Sequence, residues 1–143
     1  RDSKSGREVL TFSLLGLDES KQGIVQMDDA AQASLDLYNG LLNSMSTQVD
    51  KMWSRRWPIV ISAANAIYAL DVLSETTQDE DTLDRIKRLK GEACFIRAMV
   101  MMELTMYWGE IPVVDIAKME NSARQPLEKV WKQIFDKTGE REF

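Results

Sequence analysis

Apolar residues recur at helical spacing along most of this chain, but two segments are apolar almost all the way round. Residues 59–73 carry only Ser62, Asn65 and Asp71 as polar positions, and residues 93–108 are interrupted only by Arg97, Glu103 and Thr105. A helix apolar on every side is buried on every side or crosses a membrane. Sixteen residues with two charges are short for a span, so 93–108 predicts the central helix of a soluble, all-helical body. Gly109 stops it, and Pro112 follows in an extended exit.

The remaining pattern fills in the neighbours. Residues 1–27 have no clear helical stripe and predict irregular or extended chain. Residues 28–44 place Leu35, Tyr38, Leu41 and Leu42 at helical spacing, with Asn39-Gly40 interrupting. Ser46 is a good N-cap for the next helix, on which Val49, Trp53 and Trp57 lie four apart on one face. Pro58 removes a hydrogen bond and predicts a kink or a split there. Residues 74–81, SETTQDED, form a polar loop, and Asp81 or Thr82 caps the helix that runs to Trp108. Its first turns carry one stripe, Leu83, Ile86 and Leu89, continuing into Ala93, Ile96, Val100 and Tyr107, so it becomes enclosed after Gly91. Residues 113–125 form a loop. Pro126 takes the first position of a last helix buried through Leu127, Val130, Trp131 and Ile134, which fails at Thr138-Gly139.

These elements define an all-α fold of antiparallel helical hairpins. Two helices that need neighbours on most sides, in a chain that otherwise offers amphipathic pieces, imply that part of the enclosing shell is missing. Residues 1–143 thus read as one helical domain, incomplete by itself, from a larger protein or a tight oligomer. A 34-residue tetratricopeptide pattern does not score: with its terminal proline at Pro112, the positions Val100, Leu104 and Tyr107 are apolar but of the wrong sizes.

Composition narrows the chemistry. The chain has 143 residues, enough for a real core, and a net charge of −5 that argues against a nucleic-acid partner. The basic run Arg85-Ile-Lys-Arg88-Leu-Lys90 is interleaved with Asp81 and Asp84 and reads as a solvated face. There is no histidine, which excludes His-based acid/base and nucleophilic schemes and the usual catalytic zinc sets. The single cysteine, Cys94, can form no internal disulfide and reads as a small buried hydrophobe. The start, Arg1-Asp2-Ser3, has no Met and no apolar leader, as expected of a processed or trimmed end.

Individual candidates have plain structural readings beside them. The Trp53/Trp57 pair can stack sugars but also suits a packing face. Met99, Met102 and Met106 predict core packing. Arg97 and Glu103 lie about 120° apart on their helix, so each needs a partner from elsewhere, because an unpaired buried charge is costly. Neither Glu92 nor Glu103 faces a second carboxylate, which argues against an enzyme. Asn65 reads as a buried hydrogen-bonding residue. No phosphate loop and no metal-ligand spacing appear, so no catalytic, cofactor or metal residue is assigned, and no cofactor is expected.

Residues 91–114 also resemble a known family. Gly91-Glu92, Phe95, Arg97-Ala98 and the exit Tyr107-Trp108-Gly109-Glu110-Ile111-Pro112 are similar to the helical signature of SusD/RagB proteins. The likeness extends more loosely to Trp53 or Trp57, Ile61 and Ala64-Asn65, with Pro58 where the family has Tyr, and to the Leu17-Asp18-Glu19 turn. It continues through Leu127-Glu128-Lys129-Val130-Trp131 to Ile134, departing at Phe135-Asp136-Lys137-Thr138. The resemblance implies a TPR-like (SusD-like) core and a non-enzymatic, surface-exposed lipoprotein of the outer membrane. Such a protein binds an oligosaccharide and passes it to a SusC-like TonB-dependent transporter. It further implies that glycan contacts lie mainly outside this chain, leaving the ligand-binding residues unknown here, and that the membrane is met only through a lipid anchor upstream of Arg1. The alternative is a helical-repeat protein–protein interaction module with no carbohydrate role.

Overall fold

A computed structural model describes residues 11–21, 30–114 and 123–135. Every named element is a helix: α1 Ala30–Leu37, α2 Thr47–Thr76, α3 Glu80–Trp108 and α4 Leu127–Phe135. Among the described residues there is no strand, only isolated bridges at Leu17–Ser20 and Pro112–Arg124. The all-α expectation holds. The chain divides into two compact units, up to Arg55 and from Arg56 onward.

The first unit departs from the sequence pattern in its turns. Residues 11–14 form a helical turn where irregular chain was expected, closed by the Leu15 amide on the Thr11 carbonyl at 3.1 Å; residues 1–10 and 22–27 lie outside the described residues. The Leu17-Asp18-Glu19 turn is present, with the Ser20 amide on the Leu17 carbonyl at 3.2 Å. The helix expected to 44 ends at Leu37, and residues 28–29 lie outside the described residues. Asn39 and Asn43 explain the stop: their Oδ1 atoms accept the amides of Leu41 and Met45 at 3.0 and 2.8 Å, a local alternative to the helical ladder. Gly16 sits at φ +80°, where a Cβ would meet the Leu35 carbonyl at 2.8 Å and the Tyr38 ring at 2.5 Å. Only glycine suits that contact.

Helix α2 runs unbroken from Thr47 to Thr76. Ser46 stands at the N-cap as expected and its carbonyl accepts the Asp50 amide at 3.0 Å, yet its buried Oγ makes no hydrogen bond. Pro58 does not split the helix, correcting that alternative. It denies the Ser54 carbonyl one amide, a local loss that the buried run Val60, Ala63, Ala64 and Ile67 beyond it outweighs.

In the second unit, α2 and α3 are longer than the polar run 74–81 predicted. The hydroxyls of Ser74 and Thr76 donate to the carbonyls of Asp71 and Leu73 at 2.7 and 3.0 Å, so α2 continues to Thr76. The N-cap of α3 is Asp79, not Asp81 or Thr82; its carboxylate accepts the Thr82 amide at 2.9 Å and the Thr82 hydroxyl. The two helices run antiparallel: Arg56 meets Glu103, Ile67 shares a core cluster with Ala93 and Cys94, and Asp71 meets Lys90. Partners thus descend on one helix as they climb on the other, which is the expected hairpin.

Helix α4 packs on α3. Pro126 precedes it as the N-cap, its carbonyl accepting the amides of Lys129 and Val130, one position earlier than predicted. Val130 and Ile134 are buried as expected, but Leu127, the first residue of α4, is exposed. The predicted stop at Thr138-Gly139 lies outside the described residues. After Gly109, which caps α3 at φ +69° with its amide on the Thr105 carbonyl at 2.8 Å, Ile111 and Val113 bury in an extended exit. The Gln125 amide on the Ile111 carbonyl, at 3.1 Å, pairs that exit with the run into α4.

Candidate functional site

The residues that carry the sequence signature divide between two faces of α3. At about 100° per residue, Leu104 lies about 180° from Phe95. Leu104 belongs to a buried face with Ile86, Ala93, Cys94, Arg97, Val100, Met101 and Thr105. The opposite face is open: Phe95 is 69% exposed, Met99 50%, Met102 42% and Met106 67%. Two expectations are corrected here. The helix is not enclosed after Gly91, since Ile96 and Tyr107 are also exposed, and the methionine stripe is not core. An all-round apolar composition fills a two-sided environment because the chain supplies packing partners on one side only. Residues 59–73 behave likewise: Ile59, Tyr68, Val72 and Leu73 are exposed, and so is Asn65, which was expected to be buried.

The buried face holds the charges. Glu103 finds the outside partner it needs: Arg56 Nε lies 2.8 Å from its Oε1, with the Arg56 side chain 7% exposed. The contact is one of charges, for the Nε hydrogen is not aimed at the oxygen. Lys90, expected on the solvated face, instead reaches Asp71 at 2.6 Å and ties the loop end of the hairpin. Lys87 does stay on the surface, paired with Asp84 at 3.2 Å. Arg97 is buried as expected. Cys94 is buried beside Ile67 and Ala93, the packing role expected of it. Thr105 turns its hydroxyl back to the Met101 carbonyl at 2.8 Å, which satisfies it within the helix.

Aromatic residues stand at the ends. Tyr107 and Trp108 meet edge to face at 5.9 Å above the Gly109 stop, and Trp131 stacks on Phe135 at 5.7 Å. Trp53, Trp57, Trp108 and Trp131 are all half-buried, so none is a bare stacking platform and none is wholly committed to core. Glu92 is exposed and Glu103 is engaged by Arg56, so the two carboxylates considered for acid/base work do not share a site. Among the described residues no group of His, Cys, Asp and Glu is placed to hold a metal ion. By length and composition alone α2 is long and apolar enough to cross a membrane. Its Arg56 and Asp71 are engaged with α3.

The described residues thus form a helical hairpin with a charged seam and open apolar flanks. The chain belongs to the SusD-like family: the family model described as starch-binding, associating with outer membrane, matches residues 14–138. No curated protein and no solved structure matches it. The match covers the exposed stripe, the charged seam and the extended exit together. Sequence reasoning missed the Gln133–Val114 clamp that fixes the exit, since nothing in the spacing of a lone glutamine signals a backbone partner nineteen positions away.

Proposed function

We propose that this chain is the helical scaffold of a cell-surface protein that captures a starch-like glycan and delivers it to a SusC-like TonB-dependent transporter without altering it. The family match over residues 14–138 carries the reading. Two features support its non-enzymatic form: Glu103 is spent on Arg56, and no second acid/base pair stands beside Glu92. Sugar recognition needs aromatic platforms with converging polar groups. The four half-buried tryptophans are dispersed over α2, α3 and α4, so the glycan contacts come mainly from parts of the larger protein beyond this chain. Attachment to the membrane is through a lipid anchor outside these residues.

The test is affinity purification of the protein, tagged in its native host, from detergent-solubilised outer membranes. The expected result is co-purification of a TonB-dependent barrel, binding of malto-oligosaccharides by the complex, and recovery of those oligosaccharides uncut. Purification without a barrel and without glycan binding overturns the reading, and shortened oligosaccharides overturn its non-enzymatic part.

A further inference from the structure

Among the described residues the methionines fall into two groups. Met52 and Met101 are fully enclosed, whereas Met45, Met99, Met102 and Met106 are exposed. Three of the exposed ones share the α3 stripe. Met99, Met102 and Met106 lie within about 60° of one another around the helix and span roughly 10 Å along it. Met101, next in sequence to Met102, lies about 200° round from Met99 and belongs to the buried face. The chain's one cysteine, Cys94, is buried on that same face. Thiol chemistry is thus enclosed, while thioether chemistry is open on the outer side of α3.

We propose that Met99, Met102 and Met106 are a site of reversible oxidation, at which a peroxide turns the apolar stripe of α3 polar and leaves the hairpin folded. A thioether lone pair attacks one peroxide oxygen. The S–O bond forms as the O–O bond breaks, and sulfur gives up two electrons. The departing hydroxide takes the proton of the transferred oxygen and becomes water, so each turnover converts one thioether and one peroxide into one sulfoxide and one water. No thiolate and no base is required, and access to the sulfur decides which methionines react. The product is polar and chiral. On the outer face its oxygen stays in water, at little cost to the fold. The same oxygen on Met52 or Met101 would be a buried polar group without a partner, and full enclosure keeps peroxide from both. Neighbours in sequence, Met101 and Met102, therefore differ in fate because they lie on opposite sides of one helix. Reduction by methionine sulfoxide reductases, one for each epimer, restores the stripe.

Hydrogen peroxide added to the 143-residue chain tests this, with tandem mass spectrometry of its peptides following the gain of one oxygen at each methionine. Met99, Met102 and Met106 are expected to oxidise at least about tenfold faster than Met52 and Met101, with far-UV circular dichroism unchanged. Binding of a dye that reports exposed apolar surface is expected to fall as the stripe reacts and to recover after treatment with both reductases. Met45, exposed in the first unit, reacts as well. The share of the stripe is isolated by Met99→Leu/Met102→Leu/Met106→Leu, surface changes that keep the apolar character and remove the sulfurs. Under peroxide that variant is expected to retain clearly more dye binding than the parent. Stripe methionines that react no faster than Met52 and Met101 overturn the site. Helix lost in step with their oxidation overturns the tolerance of the fold. A variant whose dye binding falls as far as the parent's overturns the change of surface, and dye binding that stays low after reductase treatment overturns its reversibility.

Discussion

The side-chain amide of Gln133 takes both backbone polar groups of Val114: its Nε2 donates to the Val114 carbonyl at 2.8 Å and its Oε1 accepts the Val114 amide at 3.1 Å. The glutamine thus acts as one more strand residue, pairing with an extended exit that has no sheet of its own. With Val113 and Ile111 buried on the same segment, this clamp sets the direction in which the chain leaves α3.

Removing the clamp leaves two part-buried backbone groups without their side-chain partner. Gln133→Leu is expected to lower the unfolding free energy by about 2–3 kcal/mol, read by urea denaturation. Gln133→Glu keeps the acceptor, loses the donor and sets a carboxylate against the Val114 carbonyl. Burial and that carbonyl raise the new acid's pKa, so the variant is expected to regain stability as pH falls and the protonated acid donates to Val114. A Gln133→Glu protein whose deficit is the same at pH 5 and pH 8 argues against the clamp.

The Arg56–Glu103 contact joins the two helices of the hairpin through a buried arginine side chain. Breaking it from either side strands a charge, so Arg56→Met and Glu103→Gln should each cost about 3 kcal/mol. The double variant should cost clearly less than the two together, because no stranded charge remains. Additive losses in chemical denaturation would show that the two side chains act independently.

The glycine at position 16 is required for a different reason. Its φ of +80° and the 2.8 Å approach of the Leu35 carbonyl both reject a side chain. Gly16→Ala is expected to destabilise the protein by about 1–3 kcal/mol, with loss of amide-exchange protection concentrated around α1. A thermal midpoint equal to that of the parent refutes the contact.

What the sequence made legible follows from which signals are local. The helix pattern, the Gly109 stop and the buried Cys94 are written in short spacings, and the charge of Glu103 announced by itself that a partner must exist. The identity of that partner was not legible, since Arg56 lies on another helix and arginine is common on surfaces. Composition by itself does not fix environment. The residue types around Ile59, Phe95, Met99 and Asn65 suggest burial, while their exposure depends on how many neighbours the chain supplies. Caps were misplaced by short distances because Asp79, Asp81 and Thr82 all suit the role, and only the geometry of the Thr82 amide and hydroxyl selects Asp79.

That selection gives α3 an acid-sensitive start. The Thr82 hydroxyl first, and its backbone amide second, hold the Asp79 carboxyl below the ordinary aspartate value. Both donate to the ionised oxygen and neither to the protonated one. A carboxyl whose pKa is lower in the folded state gives its stabilisation above the unfolded value and loses it as pH falls through the folded one. The thermal midpoint of the parent should therefore drop as pH is lowered from 5 toward and below the usual aspartate range near 3.8. In Asp79→Asn the amide oxygen still caps the helix but does not titrate, so the share of the drop due to this residue should vanish. Comparing midpoints of the two proteins across that range isolates the cap from every other carboxylate. Parallel curves, separated by the same interval at every pH, would show that Asp79 is not ionised against Thr82 and that the helix begins on some other support.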